Sequence, residues 1–237
     1  MLTKPAIVVG ADAAETLKQT TQWLTETTHA SLRRSGRVSW ALSGGSTPIP
    51  LYRDLAAESD SIPWGDLTLY VVDERDVYPA DPLSNYGMLQ TTLLDPLARP
   101  PAKVVPWHTA EDPGRALAEY RAALAPLPRY EGFPEIDLVL LGMGGDGHTA
   151  SVFPGSPQQD NSEWVAYGSG PNANRYTLTL PLICSARHVG ILVTGADKAS
   201  RVRECLTDPT CALPAAWVSR QGRSVHWFLD AKSASEL

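Results

Sequence analysis

A strand-length apolar run that empties into a glycine-rich turn, residues 136–156 (IDLVLLGMGGDGHTASVFPGS), constrains this chain more than any other segment. Ile136, Leu138, Val139, Leu140 and Leu141 make a nearly continuous apolar stretch, the pattern of a central strand covered on both faces. Gly142, Gly144, Gly145 and Gly147 follow, and they allow a sharp turn and a close approach of backbone to ligand. His148 then falls just beyond the carboxyl end of the strand, where open α/β sheets place their ligands.

Gly142, Gly144 and Gly147 also spell the G-x-G-x-x-G spacing of dinucleotide-binding turns. That fingerprint needs the glycines to open a long helix, and Pro154, Gly155 and Pro157 interrupt the sequence almost at once. It also needs an acidic residue closing a second strand about 20 residues on. Glu163 has the spacing but sits in a polar stretch, QQDNSE, that closes no strand. The turn is read instead as a device that presents Asp146 and His148.

Strand-like apolar runs recur at Ala6 to Val9, Val38 to Leu42, Leu67 to Val72, Val189 to Val193 and Val225 to Leu229. Helical patterns lie between them. Ala13, Leu17, Leu24 and Leu32 fall on one face of a helix from about Asp12 to Arg34, and Leu117, Tyr120 and Leu124 do so from about Pro113 to Ala125. Val202, Cys205 and Leu206 repeat the pattern near the C-terminus. This alternation predicts a three-layer, Rossmann-like α/β fold with a mostly parallel central sheet flanked by helices, in one domain over residues 1–237. The 20 prolines punctuate the connections as rigid loops.

A formal net charge of −6, with no run of Lys or Arg, leaves no electrostatic footprint for nucleic acid or an anionic membrane. The apolar stretch at the N-terminus is too short for a signal-peptide core or a bilayer span, so a cytoplasmic location is expected. Cys184, Cys205 and Cys211 form no Cys-x-x-Cys pair and fit a reduced compartment, although Cys205 and Cys211 could pair if the geometry allowed. A monomer or weak homodimer is expected.

Three turns concentrate the chemistry. The run Val38 to Leu42 leads into Ser43-Gly44-Gly45-Ser46-Thr47-Pro48 and then into a helix with Ile49, Leu51, Tyr52 and Leu55 on its buried side. Free backbone N–H groups, hydroxyls and a helix N-terminus there suit a phosphate or other anion. A plain N-cap by Ser46 or Thr47 fits the same residues. The next strand ends in Asp73-Glu74-Arg75, which reads either as a local ion-pair network or as a set of groups for a polar substrate. Downstream, Ser84-Asn85-Tyr86 starts a helix carrying Met88, Leu89 and Leu93, with Ser84 as its cap.

Of the histidines His29, His108, His148, His188 and His226, none has the spacing of a helical metal pair, so no metal is expected. Only His148 stands at a candidate pocket edge, where an imidazole can take a proton from water and return it to a leaving group. There is no Gly-x-Ser-x-Gly elbow, and Ser151 lies beyond the turn, which disfavours a Ser-His-Asp acyl-enzyme. Arg175 opens an alternating stretch, Arg175 to Leu180, and Lys198 would start a helix after a strand. Both are basic candidates for an anion, and for Lys198 the alternative is a solvated surface lysine.

Taken together, Ser43 to Pro48, Asp73-Glu74-Arg75 with Ser84-Asn85-Tyr86, Gly142 to Gly155, and Thr194-Gly195-Ala196-Asp197-Lys198 resemble the 6-phosphogluconolactonase family. The resemblance extends to Leu213-Pro214-Ala215 and Trp227-Phe228-Leu229-Asp230. Glucosamine-6-phosphate deaminases share that family's fold and usually carry a glutamate where this chain has Phe153. The lactonase branch is therefore favoured.

The resemblance implies hydrolysis of 6-phospho-D-glucono-1,5-lactone in the pentose phosphate pathway, without metal or organic cofactor. It implies His148 as the base, Arg75 as the oxyanion partner, and Asp73 or Asp146 as the group that orients the imidazole or binds sugar hydroxyls. Ser43, Gly44, Gly45, Ser46, Thr47, Gly144, Arg175 and Lys198 would bind the substrate and its phosphate.

Overall fold

The computed structural model describes residues 4–109 and 112–237. Among the described residues twelve strands are formed: β1 (Ala6–Gly10), β2 (Val38–Leu42), β3 (Leu67–Val71), β4 (Asp73–Arg75), β5 (Lys103–Val105), β6 (Arg129–Tyr130), β7 (Phe133–Pro134), β8 (Leu138–Gly142), β9 (Val165–Gly168), β10 (Arg175–Leu178), β11 (His188–Val193) and β12 (Val225–Asp230). The helices are α1 (Ala13–Ser35), α2 (Ile49–Ala57), α3 (Asn85–Leu89), α4 (Pro113–Leu124), α5 (Leu180–Ser185), α6 (Ala199–Thr207) and α7 (Pro214–Gln221).

Seven strands form one sheet in the order β1-β12-β11-β8-β2-β3-β5, with every pairing parallel. Helices cover both of its faces, as consecutive residues of β12 illustrate. The Phe228 ring lies 5.2 Å from Trp23 of α1, whereas Trp227 Nε1 donates to Ser219 Oγ of α7 at 3.1 Å. Successive strand side chains point to opposite faces, so α1 and α7 lie on opposite sides. The expected three-layer arrangement is what forms.

Strand order fixes where a ligand can go. From β2 the chain builds outward through β3 to β5 at one edge, then returns to β8 on the other side of β2 and builds outward through β11 and β12. The connections leaving β2 and β8 therefore diverge, and a crevice opens between their carboxyl ends. A backbone bond from Ser43 N to the Leu140 carbonyl, 3.1 Å, ties the two strand ends together. A second sheet, β4-β10-β9, is antiparallel and joins the first where β3 passes through Val72 into β4.

Several elements depart from the expected pattern. The apolar face proposed for α1 is largely threonine: Thr16, Thr20, Thr21, Thr27 and Thr28 are buried with Leu17 and Leu24, while Ala13 is exposed and Leu32 only half-buried. Hydroxyls of Thr16, Thr20 and Thr28 donate to carbonyls four residues back, so those polar groups are satisfied inside the helix. Strand β5 carries no signature in the sequence, because three residues flanked by prolines show no period. Cys184, Cys205 and Cys211 are buried free thiols, so the possible Cys205–Cys211 pairing is not made; the Cys205 sulfur lies 4.0 Å from that of Met143.

Candidate active site

The turns after β2 and β8 wall a cavity of about 420 Å³ at the crevice between those strands. Ser43 through Pro48 form one wall. Gly45 has φ 97°, a left-handed conformation that favours glycine, and α2 then begins with Pro48 as its N-cap and no side-chain capping bond. The alternative of Ser46 or Thr47 as the cap is thereby corrected: proline occupies that place, and the hydroxyls of Ser46 and Thr47 are not used for capping. The Ser43 hydroxyl is buried without a hydrogen-bond partner among the described residues, while its carbonyl accepts from Tyr52 Oη at 2.6 Å.

The opposite wall is the glycine turn after β8. It closes on itself through Gly144 N to the His148 carbonyl at 2.9 Å and Gly147 N to the Gly144 carbonyl at 3.0 Å. A Cβ on Gly144 would fall 2.1 Å from the imidazole, so only glycine lets His148 fold back over the turn. No helix follows; Thr149 and Val152 form a tight antiparallel bridge instead, in keeping with rejection of a dinucleotide turn.

His148 lines the cavity, and Asp146 stands behind it. Asp146 Oδ1 lies 2.5 Å from His148 Nδ1 and accepts the His148 backbone N–H at 3.1 Å. Partial burial raises the Asp146 carboxyl, but the hydrogen bonds and charge of His148 outweigh it and hold the group below the usual carboxylate range. A carboxylate can only accept, so Nδ1 carries a proton, and it is Nε2 that holds the free lone pair in the neutral tautomer. The Phe153 ring packs 4.7 Å from the imidazole, centroid to centroid, where the deaminase pattern calls for an acid.

The Asp73-Glu74-Arg75 cluster separates into three roles. Asp73 lines the cavity, buried, and its Oδ2 accepts from Ser151 Oγ at 2.6 Å. Of the two carboxylates considered for orienting the imidazole, Asp146 is therefore the one bonded to it. Glu74 is buried beneath the cavity and accepts from the backbone N–H groups of Arg75, Asn85 and Tyr86 and from Ser84 Oγ, at 2.7–2.9 Å. This corrects the ion-pair reading for Glu74, whose partners are neutral donors: the Arg75 backbone N–H and groups at the start of α3. Ser84 caps α3 as expected, accepting from Gly87 N at 3.0 Å.

Arg75 reaches the cavity with its Nη1 held by the Leu83 carbonyl at 2.5 Å and Asn85 Oδ1 at 2.7 Å. Arg175, directly opposite on β10, also lines the cavity and donates from Nη2 to the Pro171 carbonyl at 2.7 Å. Its guanidinium lies 5.9 Å from the centre of the Phe153 ring. Lys198 approaches from the start of α6: its Nζ is 3.1 Å from Asp197 Oδ2, and a Cβ on Gly145 would lie 3.3 Å from it.

Of the residues to which the resemblance assigns a catalytic or substrate-binding role, all line the cavity except Asp146, which stands behind its histidine. Asn85, Thr194 and Asp197 also line it and had been noted only within motifs. In the sequence Asn85 shows only as part of a helix start, because its contacts are tertiary and leave no periodic signal. No group of three or more potential metal ligands occurs among the described residues, and no described helix is long and apolar enough to cross a membrane.

A family model described as "Glucosamine-6-phosphate isomerases/6-phosphogluconolactonase" matches residues 11–227. A 6-phosphogluconolactonase from Synechocystis is 38% identical over 214 residues, covering 87% of this chain and 88% of its own. The solved structure of 6-phosphogluconolactonase from Trypanosoma brucei superposes with a TM-score of 0.87 at 33% identity, covering 99% of both chains. A monomeric glucosamine-6-phosphate deaminase gives a TM-score of 0.84 over 98% of this chain and 100% of its own, but at 18% identity that likeness speaks only for the fold.

Proposed function

Because the chain belongs to the glucosamine-6-phosphate isomerase/6-phosphogluconolactonase family, we propose that it is a lactonase that hydrolyses 6-phospho-D-glucono-1,5-lactone to 6-phospho-D-gluconate in the pentose phosphate pathway. The observation that carries the reading is the placement of the Asp146–His148 pair across one cavity from a hydroxyl-rich turn at a helix start. A base and an anion seat facing each other suit a substrate with a phosphate at one end and an electrophilic carbonyl at the other.

The phosphate rests on Ser43-Gly44-Gly45-Ser46-Thr47, with Lys198 and Arg175 supplying positive charge. Binding energy spent there, remote from the reaction, holds the carbonyl near His148. His148 Nε2 takes a proton from water as the oxygen attacks C1. Arg75, with backbone N–H groups of the glycine turn other than those of Gly144 and Gly147, stabilises the tetrahedral oxyanion. As the C1–ring-oxygen bond breaks, the imidazolium returns the proton to the departing oxygen, and the new acid ionises to the carboxylate. Asp146 keeps the proton on Nδ1 before attack and stabilises the imidazolium after it. Asp73, fixed by Ser151, faces the sugar hydroxyls. These steps need no metal or organic cofactor.

Phe153 argues against deamination of an amino sugar phosphate, since an apolar ring beside the imidazole supplies no acid. A sensor that binds sugar phosphate without chemistry would have little use for the Asp146–His148 pair. The reading places the enzyme in the cytoplasm as a monomer or weak homodimer. Its test is lactone hydrolysis by the purified chain, with spontaneous hydrolysis subtracted, beside ammonia release from glucosamine 6-phosphate. Lactone turnover without ammonia is expected; ammonia release or no turnover overturns the reading.

A further inference from the structure

Asn85 carries no step of the reaction, yet it joins the segments that build the site. It is 2% exposed and is the first residue of α3. Its backbone N–H donates to Glu74 Oε1, its Nδ2 donates to the Asp73 carbonyl and its Oδ1 accepts from Arg75 Nη1, each at 2.7 Å. An amide donates only through nitrogen and accepts only through oxygen, so these partners allow one orientation of the side chain. A flip would set its NH2 against a guanidinium N–H and its oxygen against a carbonyl oxygen.

The turn after β2 closes on the same amide. A Cβ on Gly44 would lie 1.8 Å from Asn85 Oδ1, so the anion turn can lie this close only with glycine there. Glu74 holds the other side, binding the first backbone N–H groups of α3 and the Arg75 N–H with one buried carboxylate. Asn85 thus sits in a fixed seat between β4, α3 and the turn.

The chemistry of that seat matters for Arg75. A long guanidinium side chain has many rotamers, and holding it in one costs conformational entropy. Both acceptors on Nη1, the Leu83 carbonyl and the Asn85 amide, are neutral. They direct the group without cancelling its charge, whereas a carboxylate at position 85 would pair with it.

Resting on the lactonase reading above, we propose that Asn85 is a positioning residue of the reaction, holding the Arg75 guanidinium toward the oxyanion through a neutral acceptor rather than a paired carboxylate. Asn85 acts through Arg75, and removing it should matter only while Arg75 is present.

A double-mutant cycle on the full chain tests this, with kcat and KM for 6-phosphogluconolactone measured for wild type, Asn85→Ala, Arg75→Ala and the double variant. Asn85→Ala should lower kcat by about 10- to 10²-fold with KM changed less than about threefold, and in the Arg75→Ala background the further loss should be under about twofold. Equal losses in both backgrounds would overturn the proposal, as would loss of inorganic phosphate binding, measured by calorimetry, in Asn85→Ala. Should Asn85→Ala fail to fold, the near-isosteric Asn85→Asp decides. It should bind phosphate and lose kcat, and wild-type kcat in it would overturn the proposal. A wild-type chain without lactone turnover would instead sink the lactonase reading itself.

Discussion

Arg75 and Arg175 stand directly opposite each other across the β4–β10 ladder, two guanidinium side chains in register at one cavity wall. Like charges opposed on neighbouring strands destabilise a sheet. Burial, and then the charge of Arg75, lower the Arg175 pKa from its ordinary value, with Asp73 and Glu74 offsetting only part of this. The Nε atoms of both arginines are buried without a hydrogen-bond partner among the described residues. An arrangement that is costly alone is suited to an anion that relieves it.

Inorganic phosphate should therefore stabilise the protein, most strongly at low salt. At a hundredfold excess over Kd the gain is about 2.7 kcal/mol, or roughly 5–10 °C in Tm for a chain of this size. Arg175→Met should remove at least half of that rise while leaving the Tm without phosphate unchanged or higher. Thermal scans with and without phosphate check it; a full phosphate response in the variant would contradict the assignment.

Asp146→Asn tests the imidazole's tether. The amide can present either oxygen or NH2 to Nδ1, so the useful tautomer is no longer enforced. Steady-state kinetics should show kcat reduced by about tenfold or more with KM little changed, a smaller loss than removal of His148 itself. A fall in lactone affinity with kcat intact would mean that Asp146 serves binding.

How much of this was legible in the sequence depended on the kind of interaction. The strands β2, β3, β8, β11 and β12 lie inside the sheet, and their apolar runs marked them. Strand β4 is Asp-Glu-Arg and β5 only three residues long, so neither shows a strand period. The buried face of α1 is largely threonine, which an apolar-period reading does not see; Thr16, Thr20 and Thr28 can be buried there because their hydroxyls donate to carbonyls four residues back. In the site, motifs beside glycine turns located His148, Lys198 and the Ser43–Pro48 turn, all of which line the cavity. The division of labour between Asp73 and Asp146, and the part played by Asn85, depend on contacts between distant segments.

Glu74 supplies a stability test with a defined sign. Burial raises its carboxyl pKa from the ordinary 4.5, despite lowering by hydrogen bonds from Tyr86, Asn85, Arg75 and Ser84. The native state therefore binds this proton more tightly than the unfolded chain, and the Glu74 contribution falls as pH rises from about 4.5 through the raised native value. In Glu74→Gln the amide NH2 would face donors now held by a carboxylate oxygen, at a cost of about 1–3 kcal/mol. Denaturant unfolding at several pH values should show wild type more stable throughout, with its margin over the variant narrowing as pH rises across that window. A margin that widens with pH would contradict the burial account.

The central claim is that His148 is the base, and it is tested most directly by the kcat of His148→Ala for 6-phosphogluconolactone, with spontaneous hydrolysis subtracted. The account predicts a fall of roughly 10²-fold or more, with a smaller effect on KM. Turnover near the wild-type rate in that variant would contradict it.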